Sequence, residues 1–188
     1  MATISTNGFR NGLKIELNGE PFLMVEFQHV KPGKGGAFVR TKLKSLKTGL
    51  VLERTFRSGE KIDLPDLEEK EMQYLYKDAG LYYFMDTTTF EQLAIGEEVI
   101  GGNKNFLGEN LTISVLFHNG HPIGINLPIF VNLKVKESEP GIKGDTASGA
   151  TKLAKLETGY TVQVPLFIVV SDVLKIDTRN GGYIERVK

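Results

Sequence analysis

The chain has 188 residues, 40% of them apolar and 24% charged, the balance of an ordinary globular protein. It contains no Cys, which excludes disulfides, thiolate catalysis and Cys-ligated zinc. Net charge is zero, yet residues 1–64 hold 11 basic and 6 acidic side chains, 65–127 hold 3 and 10, and 128–188 hold 9 and 7.

Abundant Gly, Val, Ile, Thr, Phe and Tyr favour strands over helices. Phe9-Arg10-Asn11-Gly12 precedes the first expected strand, and Asn18-Gly19 joins residues 13–17 to 21–27 as a tight hairpin. Alternation runs on to Val30 and resumes at Ala37, so Lys31-Pro32-Gly33-Lys34-Gly35-Gly36 is a hairpin connection. Pro32 fixes its own φ and keeps Lys31 extended, while the three glycines have no side chain to obstruct a neighbouring surface. Lys34 is the only bulky group at the tip, three donors and a positive charge on a flexible stem. Such a group suits a probe entering a narrow, negatively charged site such as RNA. An ordinary exposed turn with a solubilising Lys fits the same residues.

Strands at 41–46 and 51–56, around a Lys47-Thr48-Gly49 turn, complete a small SH3-like barrel. Lys42, Lys44, Lys47, Arg54 and Arg57 alternate along these strands, which would place several cations on one face. A boundary falls at Leu64-Pro65, where the charge changes sign. In the acidic block, strands are expected at 72–76, 81–85, 112–117 and 122–126, with a short helix at 88–93 started by a Thr88/Glu91 capping box. These fit a barrel of the oligonucleotide-binding (OB) type. Met72, Tyr74, Tyr76, Tyr82, Phe84 and Met85 read as its core, and base stacking on the aromatics sits poorly with its acidity. His118 and His121 flank an Asn-Gly turn and read as exposed imidazoles, with no third metal ligand in the pattern. After Leu127-Pro128, strands at 130–136, 162–170, 173–177 and 183–187 form a second such barrel, interrupted by a long polar stretch at 138–159. Loops of that length are often functional.

No P-loop, dinucleotide-binding glycine pattern or nucleophile elbow occurs, so neither a catalytic residue nor a metal or other cofactor is expected. Lys34 as a nucleophile would need a desolvated amine, which an exposed glycine tip does not supply. The N-terminus has no apolar signal core and no run approaches membrane-spanning length, so a cytoplasmic protein without a membrane partner is expected.

Phe9-Arg10-Asn11-Gly12, Lys31-Pro32-Gly33-Lys34-Gly35, Phe90-Glu91-Gln92-Leu93, Gly144-Asp145-Thr146 and the ending Asp177-Thr178-Arg179 through Tyr183-Ile184-Glu185-Arg186-Val187-Lys188 occur in this order. Over essentially its whole length the chain resembles the bacterial translation elongation factor P family. The resemblance implies an all-β, L-shaped monomer of three small barrels, an SH3-like/KOW-like one followed by two OB-type ones. It implies binding to the 70S ribosome between the peptidyl and exit sites, where stalling at consecutive prolines is relieved. Lys34 would lie beside the acceptor end of the peptidyl-tRNA, with Arg10, Lys31, Arg40 and Lys42 on tRNA phosphates. Gly144, Asp145 and Thr146 would face the small subunit and the message, with Tyr183 and Arg186 as further RNA contacts. Family members often carry a β-lysyl amide or an aminopentanol on the tip residue, added by a lysine-modifying enzyme. The rhamnosylated branch uses Arg there, which places Lys34 outside it and leaves the type of any modification open. A general RNA- or single-strand-binding module of small barrels is the alternative.

Overall fold

The computed structural model describes residues 2–140 and 150–187; Gly144, Asp145 and Thr146 lie outside the described residues. The first sheet contains β1 (Thr3–Ser5), β2 (Lys14–Leu17), β3 (Glu20–Val30), β4 (Phe38–Ser45), β5 (Val51–Arg57) and β6 (Lys61–Asp63), in the order β1-β6-β2-β3-β4-β5. The second contains β7 (Leu67–Asp78), β8 (Leu81–Asp86), β9 (Gln92–Gly96), β10 (Thr112–His118) and β11 (His121–Asn126), ordered β11-β10-β7-β8-β9. The third contains β12 (Phe130–Ser138), β13 (Thr151–Leu156), β14 (Thr161–Pro165), β15 (Val173–Asp177) and β16 (Gly182–Val187), ordered β14-β13-β12-β15-β16. Helix is confined to α1 (Glu97–Ile100) and two 3-10 stretches, Thr6–Gly8 and Gly101–Phe106, among the described residues. The protein is thus nearly all-β, and no described helix is long and apolar enough to cross a membrane.

Three sheets are grouped into two compact units: Met1–Glu69 with Leu116–Gly124, and Lys70–Val115 with Ile125–Lys188. In the first unit, period-two alternation sends Val39, Thr41, Leu43 and Ser45 of β4 inward and Arg40, Lys42 and Lys44 outward. Val39 and Leu43 join Phe9, Leu13, Ile15, Phe22, Met24, Phe56 and Ile62 in one core. A bulge between Met24 and Glu26 re-aims the second half of β3, leaving Val25 exposed. The tip of the β10–β11 hairpin belongs to this unit. There His118 is buried, not exposed as its turn position implies, and its Nε2 lies 2.9 Å from Glu16 Oε2. His121 is exposed as expected.

In the second unit, Met72, Tyr74, Tyr82 and Phe84 are buried, whereas Tyr76 stands outside and stacks on Tyr83 at 4.7 Å; Met85 is half-buried. The bulge between Tyr74 and Tyr76 breaks the alternation that placed Tyr76 in the core. The helix expected at 88–93 is absent. Asp86 Oδ1 instead accepts the backbone N–H groups of Thr88 (2.7 Å) and Thr89 (3.0 Å), and Phe90 adopts φ +61°, closing a β8–β9 hairpin. The polar stretch at 138–159 is also corrected, since it contains β13, whose Ala154 and Leu156 are fully buried. They join Val131, Leu133, Val164, Leu174 and Ile176 in the core under the third sheet.

Candidate nucleic-acid interface

The last β3–β4 ladder pair is Val30 with Phe38, so residues 31–37 form the loop. Residues 31–36 are exposed. A Cβ placed at Gly33 or Gly36 would meet nothing within 4 Å, and at Gly35 only Pro32 Cγ at 3.8 Å. Gly35 has φ +109°, a conformation L side chains rarely adopt. Lys34 therefore stands on a thin backbone stalk whose C-terminal foot is fixed where Ser58 N–H donates to Ala37 C=O at 3.0 Å.

Below the loop, ladder register decides which side chains share a face. Phe38 lies opposite Val30 and Arg57, Arg40 opposite Gln28 and Thr55, and Lys42 opposite Glu26 and Glu53. The outward face thus carries Arg40, Lys42, Lys44 and Arg57, together with Glu26 and Glu53. The Arg40 guanidinium lies 5.4 Å over the Phe38 ring, which holds it near the loop. Lys42 Nζ donates to Glu26 Oε2 at 2.8 Å, and that hydrogen bond, ahead of the charges of Glu26 and Glu53, raises the affinity of the amine for its proton. A shallow cleft here is lined by Glu26, Gln28, Arg40, Lys42, Glu53 and Thr55, among others.

Several of the alternating cations do share this face, and two lie off it. Arg54 pairs with buried Thr41, so it belongs to the opposite side, where its guanidinium lies 5.5 Å over Phe56. Lys47 lies in the β4–β5 turn, 3.9 Å from Glu20. Arg10 is exposed in the connection after the first 3-10 stretch, where its C=O accepts Leu13 N–H and neighbouring Gly12 N–H donates to Met24 C=O at the bulge.

Tyr183 and Arg186 both lie on β16. Tyr183 is half-buried against the third core. Arg186 Nη1 is 3.6 Å from Asp172 Oδ2, and the guanidinium lies 5.5 Å over Phe167, so its direction is set by protein contacts. Asp177-Thr178-Arg179 organises the turn before this strand. Asp177 accepts the Arg179 backbone N–H (2.9 Å), Nε (3.0 Å) and Nη2 (2.6 Å), while Thr178 Oγ1 donates to Pro128 C=O at 2.8 Å. The Arg179 side chain, first, and its backbone N–H hold the Asp177 carboxyl down at about 2 against an ordinary 3.8. A lowered carboxyl stabilises the fold above its unfolded value and loses that contribution as pH falls through its folded one. Melting temperature should therefore decline from about pH 4 toward pH 2, and Asp177→Asn should melt lower at neutral pH with a shallower acid slope. Thermal melts over that range check both.

Residues 5–62 match the KOW-like domain of elongation factor P, residues 67–125 its OB domain, and residues 131–186 its C-terminal domain. The chain belongs to the elongation factor P family. It is 61% identical over 183 residues to elongation factor P from Moorella thermoacetica, covering 97% of this chain and 99% of that one. It is 57% identical over 185 residues to elongation factor P from Natranaerobius thermophilus, covering 98% of each. Its fold is similar to that of eukaryotic translation initiation factor 5A from Methanococcus jannaschii, with a TM-score of 0.57 at 20% identity over 67% of this chain and 92% of that one. Elongation factor P is a translation factor, and the family accounts for the KOW-like and OB domains seen here as sheets. Sequence reasoning missed Glu26 and Glu53 on the basic face. Alternation with buried Phe56 marks Glu53 as outward, but alternation with buried Phe22 and Met24 would turn Glu26 inward, and only the bulge at Val25 brings it opposite Lys42.

Proposed function

We propose that this chain binds the 70S ribosome between the peptidyl and exit sites, positions the peptidyl-tRNA and stimulates peptide-bond formation at consecutive prolines. The observation that carries this is Lys34, exposed and alone on a glycine stalk above a basic sheet face, in a member of the elongation factor P family. Proline's fixed φ makes it a poorly oriented partner in the reaction. A body that restrains the peptidyl-tRNA lowers the barrier by positioning, with the chemistry left to the ribosome. Arg10, Lys31, Arg40 and Lys42 hold tRNA phosphates, so binding weakens as salt rises. Residues 1–64, 65–127 and 128–188 serve as three modules of a cytoplasmic monomer. Gly144, Asp145, Thr146, Tyr183 and Arg186 face the small subunit. The exposed Lys34 amine is open to a lysine-modifying enzyme.

Peptide yield from a reconstituted translation system tests this, on a message encoding three consecutive prolines, with and without the natively purified protein. A higher yield on addition, absent on a message without prolines, supports the reading. Equal yields overturn it and leave a general RNA-binding module.

A further inference from the structure

On the outward face of the first sheet, one cation, Lys42, is already occupied. Lys42 Nζ lies 2.8 Å from Glu26 Oε2, and the cross-strand register sets Glu53 on its other side. Two carboxylates thus flank Lys42 along the sheet, whereas Arg40, one register step nearer the loop, is flanked by the neutral Gln28 and Thr55. The arrangement does not serve the fold. Lys42 and Glu26 are 46% and 60% exposed, and ion pairs this wet add little to stability. The β3–β4 ladder already fixes the register that brings them together. What the pair does change is the charge offered to a polyanion, because a phosphate must take Lys42 away from Glu26 before it can use the amine.

We propose that Glu26, with Glu53, is a specificity-determining residue that withholds Lys42 from RNA until the other contacts of the face are made. This rests on the proposal that the face meets tRNA on the ribosome. An RNA of unrelated shape reaches Arg40 or the loop singly and finds Lys42 neutralised, so it dissociates. The cognate site engages Arg40, Lys31 and Arg10 together, and the exchange of Glu26 for phosphate then occurs within a complex already formed. Discrimination comes from suppressing the wrong partner as much as from attracting the right one.

Binding of the full chain to a short RNA duplex of unrelated sequence, and to ribosomes carrying peptidyl-tRNA, is measured across a salt series. Glu26→Gln keeps the shape and removes the charge. It should tighten duplex binding about three- to tenfold and steepen the salt dependence by about one phosphate contact. Ribosome affinity should change less, so the ratio between the two partners falls. The gain should vanish in the Lys42→Ala background, and Glu137→Gln, which breaks an equally exposed pair with Lys155, should leave both affinities unchanged. Arg40→Ala separates the two levels of the argument. If Arg40→Ala weakens binding but Glu26→Gln leaves it unchanged, or if the Glu26→Gln gain persists without Lys42, the inference is overturned while the RNA-binding face stands. If neither substitution moves any affinity, the face does not meet RNA and both fall.

Discussion

Lys34→Ala should abolish most of the stimulation on a triproline message, on the order of a hundredfold in rate, while ribosome affinity drops by about one phosphate contact. The asymmetry follows from where the residue sits. A side chain on an exposed stalk buries nothing in the free protein, so its removal leaves the fold and the basic face intact. Positioning is different, because restraint of reacting groups is worth on the order of 7–11 kcal/mol in well-oriented cases, and a displacement near 1 Å can cost about a hundredfold in rate. The glycines give an internal control. Gly35→Ala forces a Cβ onto a backbone at φ +109° and should displace the tip, costing stimulation with Lys34 still present. Gly33→Ala adds a methyl to open space at an ordinary φ and should be nearly silent. Single-turnover peptide formation, read beside ribosome binding, distinguishes these cases. Equal losses in rate and affinity for Lys34→Ala would mark the residue as one more phosphate contact.

The tip was legible because everything that defines it is local. Pro32, three glycines and one Lys between two alternating runs specify an exposed hairpin connection without reference to the rest of the chain. The same holds for Asn18-Gly19 and Asn119-Gly120, whose positive φ values match the turns their residues demand. Misreadings occurred where a competing local acceptor or a distant partner decides. Thr88 and Glu91 make a sound capping box on paper, but buried Asp86 takes the N–H groups of Thr88 and Thr89 first and bends the chain into a hairpin. β13 reads Thr-Lys-Leu-Ala-Lys-Leu, without strict alternation and after a polar run, so its membership of a core is visible only once β12 and β14 flank it. His118 looks exposed beside an Asn-Gly turn, and only Glu16, far away in sequence, shows it to be buried. The candidate face was half legible for the same reason. Alternation places Arg40 and Lys42 together, but the bulge at Val25 and the β4–β5 register decide that Arg54 leaves the face and that two carboxylates join it.

Phe56→Ala should be the most damaging substitution in the first unit, costing about 3–5 kcal/mol. Phe56 is 1% exposed and meets Phe9 edge-on at 5.4 Å, so truncation opens a cavity and removes an aromatic contact at once. The other side chains of β5 are exposed, so this one anchors the outermost strand of the sheet. A domain of this size has only about 5–15 kcal/mol of stability in total, so the loss is a large share of it. Val51→Ala on the same strand, 57% exposed at the start, should shift stability by less than about 0.5 kcal/mol. Urea titrations followed by far-ultraviolet circular dichroism separate the two by their midpoints. The functional consequence is indirect but specific, because β5 is the flank against which β4 holds Arg40 and Lys42. Below its lowered midpoint the Phe56→Ala protein should still stimulate triproline synthesis, since Lys34 and its stalk are unchanged. Above it, stimulation and RNA affinity should vanish together, the pattern of a lost scaffold and the opposite of the split expected for Lys34→Ala.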